Sequence, residues 1–205
     1  MPRGVAITEP RQHLFAAAER VIVAAGPSQL TSRAVTQAGG VATGLLFAHF
    51  ASFDDFLTGY AVDRSFQIAA VAAGLPDRAG TGTVDANLSA TLLATPMITM
   101  LAVTRLFAYR PTLVAAVEAV LGSGGAALRA LERAVVAYLD AEQRIGRLAA
   151  PADTEALALA AVGVLHHVAL TDGESPAAAS RIRRAITTLT AASTANAVAR
   201  DDHGS

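Results

Sequence analysis

Apolar residues recur at helical spacing along almost the whole chain, and no long stretch alternates apolar and polar residues as a half-buried strand does. The segment from Pro10 to Ala25 shows the pattern, because its apolar residues fall on one stripe: Leu14, Ala18, Val21, Ile22 and Ala25. Glycines and prolines separate such segments from one another. The sequence therefore predicts an all-α protein.

Capping and helix-breaking residues divide the chain into about nine predicted helices. Thr31 and Ser52 suit N-caps, since their hydroxyls can accept hydrogen bonds from first-turn N–H groups. Four helices are expected in the first part, over residues 10–25, 31–38, 42–48 and 52–73. Five more are expected beyond it, over residues 84–108 with a kink at Pro96, 111–122, 126–147, 151–170 and 176–198. The glycine-rich stretch 77–83 between the two groups is predicted to be a mobile loop.

Composition excludes several classes of protein. The chain has no cysteine, which rules out disulfides and thiolate metal sites. Its 53% hydrophobic content raises the question of membrane insertion, but a spanning helix needs about 20 consecutive apolar residues. The two best candidate spans are interrupted, one by His166–His167 and the other by Pro96 and Arg105. The first thirteen residues lack the apolar core of a signal peptide. We expect a cytoplasmic protein that makes no membrane contact.

Neither catalysis nor metal binding is indicated by the side chains. The sequence shows no paired carboxylates, phosphate-binding loop or nucleophile–base spacing, so we expect no enzymatic activity and no cofactor. His166 and His167 are adjacent, and neighbouring residues on a helix point about 100° apart. Both side chains therefore rarely bind one ion, and no metal is expected.

The segment LTSRAVTQAGGVATGLLFAHF, residues 30–50, carries the strongest functional signal. It predicts two short helices that meet at Gly39–Gly40, the arrangement of a helix-turn-helix. In such a unit the second helix enters the major groove of DNA and the first lies across the backbone. The groove is wide enough to admit one helix.

Residues within this segment and on both sides of it match the residue types and spacing of one known protein family: Arg11, Leu14, Phe15, Ala17, Ala18, Val21, Ile22, Gly26, Leu30, Thr31, Arg33, Val35, Gly40, Val41, Gly44, Leu46, Phe47, His49, Phe50, Ser52, Phe56 and Leu57. In this register the segment resembles the DNA-binding head of the tetracycline-repressor (TetR) family of bacterial regulators. Residues 145–148, Ile-Gly-Arg-Leu, followed by Asp153 and an apolar helix, resemble the lead-in to the family's first dimerisation helix.

The resemblance implies two domains and a repressor function. Residues 1–51 would form a three-helix DNA-binding domain, and residues 52–200 a larger helical domain for ligand binding and dimerisation, linked by helix 52–73. The DNA contacts would come from Thr31, Ser32, Arg33, Gln37, Thr43, Gly44, Leu45, Phe47, Ala48, His49 and Ser52. Hydroxyls at the start of the first motif helix can reach phosphate. Arg33 suits a bidentate contact to guanine.

The sequence departs from the family's common pattern at three positions. Phe47 stands where a tyrosine is common, Leu45 where a threonine is common, and Phe53 where a lysine is common. Residues 1–50 hold four arginines and two glutamates, a net charge of +2. We therefore expect modest affinity for DNA and a shallow salt dependence. The alternative is a helical dimer whose degenerate head acts through protein contacts instead of operator DNA.

The resemblance further implies a homodimer that a small ligand releases from a palindromic operator. Helix 151–170 is apolar nearly all round, and its small residues permit close approach of another helix, so we expect helices 151–170 and 176–198 to form the dimer interface. The ligand is expected to be hydrophobic, since the candidate lining is mostly apolar: Phe66, Met97, Met100, Leu101, Phe107 and Tyr109, with Arg105 and His166 as polar groups. Ordinary core packing is the alternative for these residues.

Overall fold

A computed structural model of the chain describes residues 8–198, which form ten α-helices and no strand. The helices are α1 Pro10–Ala25, α2 Ser32–Ala38, α3 Thr43–His49, α4 Phe53–Ala72, α5 Val84–Ala94, α6 Met97–Tyr109, α7 Thr112–Leu121, α8 Leu128–Arg144, α9 Thr154–Thr171 and α10 Pro176–Val198. The predicted all-α class is confirmed. Helix α1 begins and ends at the predicted residues, and α10 begins at the predicted residue, Pro176.

The helix count exceeds the expected nine because the predicted helix 84–108 is two helices. Thr95 is extended, with φ −67° and ψ 128°, and the axes of α5 and α6 differ by 72°. Proline disfavours helical geometry in the residue before it and has no N–H of its own to donate. Pro96 therefore ends one helix and begins another, and the prediction of a single kinked helix is wrong.

The glycine-rich segment 77–83 is tied to α8 and to the turn that follows it. Pro76–Arg78 form one 3₁₀ turn beside the buried Leu75. The Gly80 N–H donates to Glu142 Oε1 at 3.4 Å, and Arg147 Nη2 donates to the Gly82 carbonyl oxygen. The expected mobile loop is thus a hydrogen-bonded connection in the structure.

One continuous apolar core runs from the first three helices into the rest of the chain, and α4 contributes to both parts. Around Phe15, three other rings pack with centroid separations of 5.6–5.9 Å, from Phe50, Phe56 and Tyr60. Such aromatic groups stabilise a core beyond their buried area. Because α4 packs against α6, α7 and α8 and shares the apolar core with α1, the division at residue 51 stays a prediction.

A partly buried ion pair joins α1 to α4 within this core. Arg64 Nε donates to Glu19 Oε2 at 3.1 Å, and Arg64 Nη1 donates to Asp63 Oδ2 at 2.6 Å. Thr99 of α6 donates to the other Glu19 oxygen at 3.2 Å. The Tyr60 hydroxyl lies 3.5 Å from Glu19, and burial, followed by the charge of Glu19, raises the tyrosine pKa. One carboxylate therefore connects three helices.

Replacing Arg64 with methionine should lower the free energy of unfolding by about 3 kcal/mol, because Glu19 would remain in the interior without its cation. Urea unfolding followed by circular dichroism measures the loss. Arg144→Met, at an exposed arginine in the last turn of α8, is the control and should change stability by less than about 0.5 kcal/mol. Equal losses in the two variants would contradict a stabilising role for the ion pair.

Candidate nucleic-acid interface

Residues 31–49 fold as two short helices joined by a glycine turn. Thr31 caps α2, its hydroxyl accepting from the Ala34 N–H at 3.1 Å. Gly40 then adopts φ +64°, a left-handed conformation that glycine takes at little cost. The Val41 N–H donates back to the Thr36 carbonyl oxygen at 2.9 Å. The turn therefore ends α2 cleanly and sets the direction of α3.

Helix α1 fixes the position of this turn. His13 Nε2 donates to the Gly39 carbonyl oxygen at 2.7 Å, and Arg20 Nη2 donates to the Ala38 carbonyl oxygen at 2.8 Å. A Cβ on Gly39 would lie 3.4 Å from His13 Nε2 and 3.3 Å from a backbone oxygen, so the backbone approach is close. Val35 and Leu46 are fully buried on the inner faces of α2 and α3.

The outer face of the two helices is open to solvent. Of the eleven predicted DNA contacts, Ser32 and Leu45 are half-buried and the other nine are exposed: Thr31, Arg33, Gln37, Thr43, Gly44, Phe47, Ala48, His49 and Ser52. Phe47 is 49% exposed, which is unusual for a large aromatic side chain. The Thr31 and Ser52 hydroxyls already serve as helix caps. The structure brings the predicted residues to one accessible region, and their contacts with DNA stay a prediction.

The local charge of this region is positive but sparse. Residues 26–53 contain no aspartate or glutamate, and Arg33 is their only arginine. Arg11, on α1, stacks over the ring of Phe50 with its guanidinium carbon 4.4 Å from the centroid. His49 ends α3 and is exposed. A polyanion would meet no carboxylate on the two motif helices.

Residue 53, where a lysine is common in the family that the sequence resembles, is an uncharged phenylalanine and offers no cation to DNA. Its ring stacks on Phe56 with centroids 5.6 Å apart and is partly buried against the core. The next residue, Asp54, is exposed, and Arg110 Nη1 donates to its Oδ1 at 2.7 Å. Arg110 follows α6 and is 56 residues away in sequence. Sequence reasoning therefore missed a basic group beside this end of α4, because no local pattern connects the two segments.

The eight predicted ligand residues have different environments. Met100 is fully buried, whereas Phe66 and Tyr109 are 63% and 52% exposed. Arg105 donates to the Val23 carbonyl oxygen at 3.4 Å. Burial lowers the pKa of His166, with a smaller effect of its neighbouring histidine. Three residues are half-buried and pack against the core: Met97, Leu101 and Phe107.

Two surface clefts share Phe66 and Leu121 as lining residues. The larger, about 770 Å³, lies between the start of α1, the end of α3, α4 and the end of α7, and reaches His49. The other, about 470 Å³, extends towards Ala130 and Ala134 of α8. Since Phe66 is the one predicted ligand residue that lines these two clefts, the ligand assignment stays a prediction.

Helix α9 has an apolar face that the rest of the chain leaves uncovered. Leu159 and Leu170 are 61% and 50% exposed, and Gly163 between them is exposed. The opposite face packs against α6, α8 and α10. Among the residues that the structure describes, α9 is the single helix long and apolar enough to cross a membrane by itself, and the bent pair α5–α6 could count as another span.

The fold is similar to that of several solved regulators. A TetR-family transcriptional regulator from Rhodococcus sp. is 20% identical with a TM-score of 0.62, over 90% of this chain and 100% of that chain. SmeT, the repressor of the Stenotrophomonas maltophilia multidrug efflux pump SmeDEF, is 16% identical with a TM-score of 0.62, over 91% of each chain. FadR from Bacillus subtilis, in complex with stearoyl-CoA, is 14% identical with a TM-score of 0.66, over 87% of this chain and 97% of that chain.

No family sequence model and no curated protein sequence matches the chain. At sequence identities of 14–20%, the similarity to these solved structures shows the fold alone. It confirms the fold that the sequence resemblance implied.

Substituting alanine at two glycines of the motif should change stability in opposite directions. Gly40→Ala should destabilise by about 1 kcal/mol, because its φ of +64° is unfavourable for a residue with a Cβ. Gly44→Ala should stabilise by up to about 1 kcal/mol, because Gly44 is exposed in α3 and a Cβ there meets nothing within 4 Å. Urea unfolding of both variants measures the difference. A stabilised Gly40→Ala protein would contradict the observed turn.

Proposed function

We propose that this chain, which has the fold of the TetR-family transcriptional regulators, is a DNA-binding regulator that represses transcription. One observation carries the proposal: α3 is presented on the surface, with its inner face in the core and no carboxylate on either motif helix. A helix held in this way suits insertion into the major groove. The solved neighbours support it, since those named above are regulators and repressors rather than enzymes.

Each motif helix would have a separate task on DNA. Arg33 would read a guanine, because its exposed guanidinium has the planar fork that matches the O6 and N7 acceptors. Thr31 and Ser32 would lie near phosphate at the start of α2. Leu45, which is half-buried, and Ala48, which is exposed, would contact thymine methyl groups from α3. Specificity would thus depend on few polar contacts.

A homodimer would present two such heads. The uncovered face of α9 contains Leu159, Gly163 and Leu170, and an apolar face of this kind is stabilised when a second copy covers it. A two-fold dimer through α9 and α10 would form a four-helix interface in which the same patch of both copies meets. Two heads related by a two-fold axis bind a palindromic operator with half-sites about one helical turn apart, or a multiple of it.

A small hydrophobic molecule would release the protein from DNA. A ligand in the larger cleft would contact His49 at the end of α3 and Leu121 at the end of α7 together, so its binding would depend on their relative position. It can shift the protein away from DNA only by binding the other conformation more tightly. Such a regulator would act in the cytoplasm, where its operator is.

A degenerate head that acts through protein contacts is the second candidate. Phe47 lacks the hydroxyl and Phe53 lacks the cation that the family commonly has at these positions, which favours this candidate. The exposed ring of Phe47 could then pack against a protein partner. DNA selection separates the candidates, because only the regulator enriches one sequence from a random pool.

The purified protein should enrich a two-fold symmetric site from random duplex DNA. Arg33→Ala should then weaken binding to that site by about 5- to 150-fold, which corresponds to the 1–3 kcal/mol of a bidentate base contact, and should relax specificity at one base pair of each half-site. Fluorescence anisotropy measures the affinity. Arg129→Ala, at an exposed arginine of α8, is the control and should bind normally. Unchanged binding by Arg33→Ala would remove the base contact from the proposal.

Introducing a charge on the uncovered face of α9 should separate the dimer. Leu159→Arg would bury an unpaired charge in the interface, which costs far more than the lost apolar contact. Sedimentation velocity should show a monomer. Val120→Arg is the matched control, because Val120 on α7 is 64% exposed, similar to Leu159 at 61%. A dimer that persists in Leu159→Arg would place the interface elsewhere.

A further inference from the structure

The turn after α6 brings one cation to the N-terminal end of α4. Arg110 Nη1 donates to Asp54 Oδ1 at 2.7 Å, and the side chains of Arg110 and Asp54 are 40% and 81% exposed. The Arg110 backbone is held by its own N–H, which donates to the Leu106 carbonyl oxygen at 2.7 Å, and by Pro111, which follows it. The body of the protein, here the helices α5–α10 as distinct from the head α1–α3 and the linking helix α4, thus reaches the first turn of α4.

Asp54 is the unusual residue at this place. The neighbouring Asp55 has a structural task, because its carboxylate accepts from the Ala51 N–H at 3.0 Å and its own N–H donates to Ser52 Oγ. Asp54 makes neither of these contacts and points its carboxylate outwards. It lies two residues after Ser52, one of the predicted DNA contacts. An uncompensated carboxylate there would repel the DNA backbone.

We propose that Arg110 is a DNA-interface residue supplied by the body: it cancels the charge of Asp54 and offers its remaining N–H groups to a backbone phosphate beside Ser52. The inference rests on the proposed function, and it deepens that function by adding a contact from the segment that follows α6. It gives the interface a cation beside Asp54, one residue after Phe53, whose partly buried ring packs against the core.

The chemistry of arginine permits both tasks together. A guanidinium has five N–H donors in a planar fork, and the bond to Asp54 uses Nη1. Nη2 and Nε have further donors that can reach phosphate oxygens. An exposed ion pair adds at most about 1 kcal/mol to folding stability, so the main consequence of this pair is the local charge.

The test compares the salt dependence of DNA binding among five proteins: the unchanged chain, Arg110→Gln, Asp54→Asn, the double variant and Arg144→Gln. The probe is the duplex that the unchanged protein selects from a random pool, and anisotropy is recorded between 50 and 200 mM salt, roughly the range over which phosphate contacts weaken strongly. Thermal unfolding of each protein checks that it is folded. Arg144 is an exposed arginine on α8 and serves as the control for loss of one positive charge.

Arg110→Gln should bind about 10-fold more weakly at low salt, and the slope of log affinity against log salt should become shallower by about 0.9 for each Arg110 removed. Asp54→Asn should bind more tightly than the unchanged chain. The double variant should recover part of the affinity that Arg110→Gln loses, because the repelling carboxylate is gone. Arg144→Gln should match the unchanged chain.

An unchanged slope in Arg110→Gln, with selected DNA still bound by the unchanged chain, would overturn this inference and leave the proposed function intact. Selection of no sequence by the unchanged chain would overturn the proposed function, and the role of Arg110 with it. A loss of affinity equal in Arg110→Gln and Arg144→Gln would show an effect of total charge and would also overturn the inference.

Discussion

The hydrogen bonds of the Glu19 carboxylate fix how α1, α4 and α6 lie against one another, and the position of the two motif helices depends on them. The carboxylate accepts hydrogen bonds from Arg64 of α4 and Thr99 of α6 while belonging to α1. Charged groups removed from water are stable only when they are paired and hydrogen-bonded, so the three helices are held in one relative position. Because α1 in turn holds the turn between α2 and α3, the orientation of α3 depends on this contact with the body.

The proposed function depends on two motif helices that are firmly anchored on their inner face and carry few charges on their outer face. Val35 and Leu46 anchor the two motif helices, and His13 and Arg20 hold the carbonyl groups of their turn. The outer face has one arginine and no carboxylate over residues 26–53. Shape and position are therefore well defined, whereas the electrostatic attraction that usually dominates DNA affinity is small. The cation of Arg110 would add to it from another part of the chain.

Local chemistry made most of the helical structure predictable. Thr31 and Ser52 each accept a hydrogen bond from the first turn of the helix they precede, and such caps can be recognised from residue type. The exposed position of the predicted DNA contacts also followed from the motif register. The break at Pro96 was harder, because a proline either kinks a helix or ends it and the outcome depends on what packs around the two halves.

The helical class, the ends of most helices and the two-helix motif could be predicted from residue order, since caps, glycines and apolar spacing act over one or two turns of chain. Which side chains lie near one another across long separations in sequence became clear from the packed fold. It placed Met100 in the core and Phe66 on the surface, tied residues 77–83 to Glu142, and brought Arg110 to Asp54. These contacts depend on how all the helices pack together, and a pattern that spans one or two helical turns of sequence contains no information about that packing.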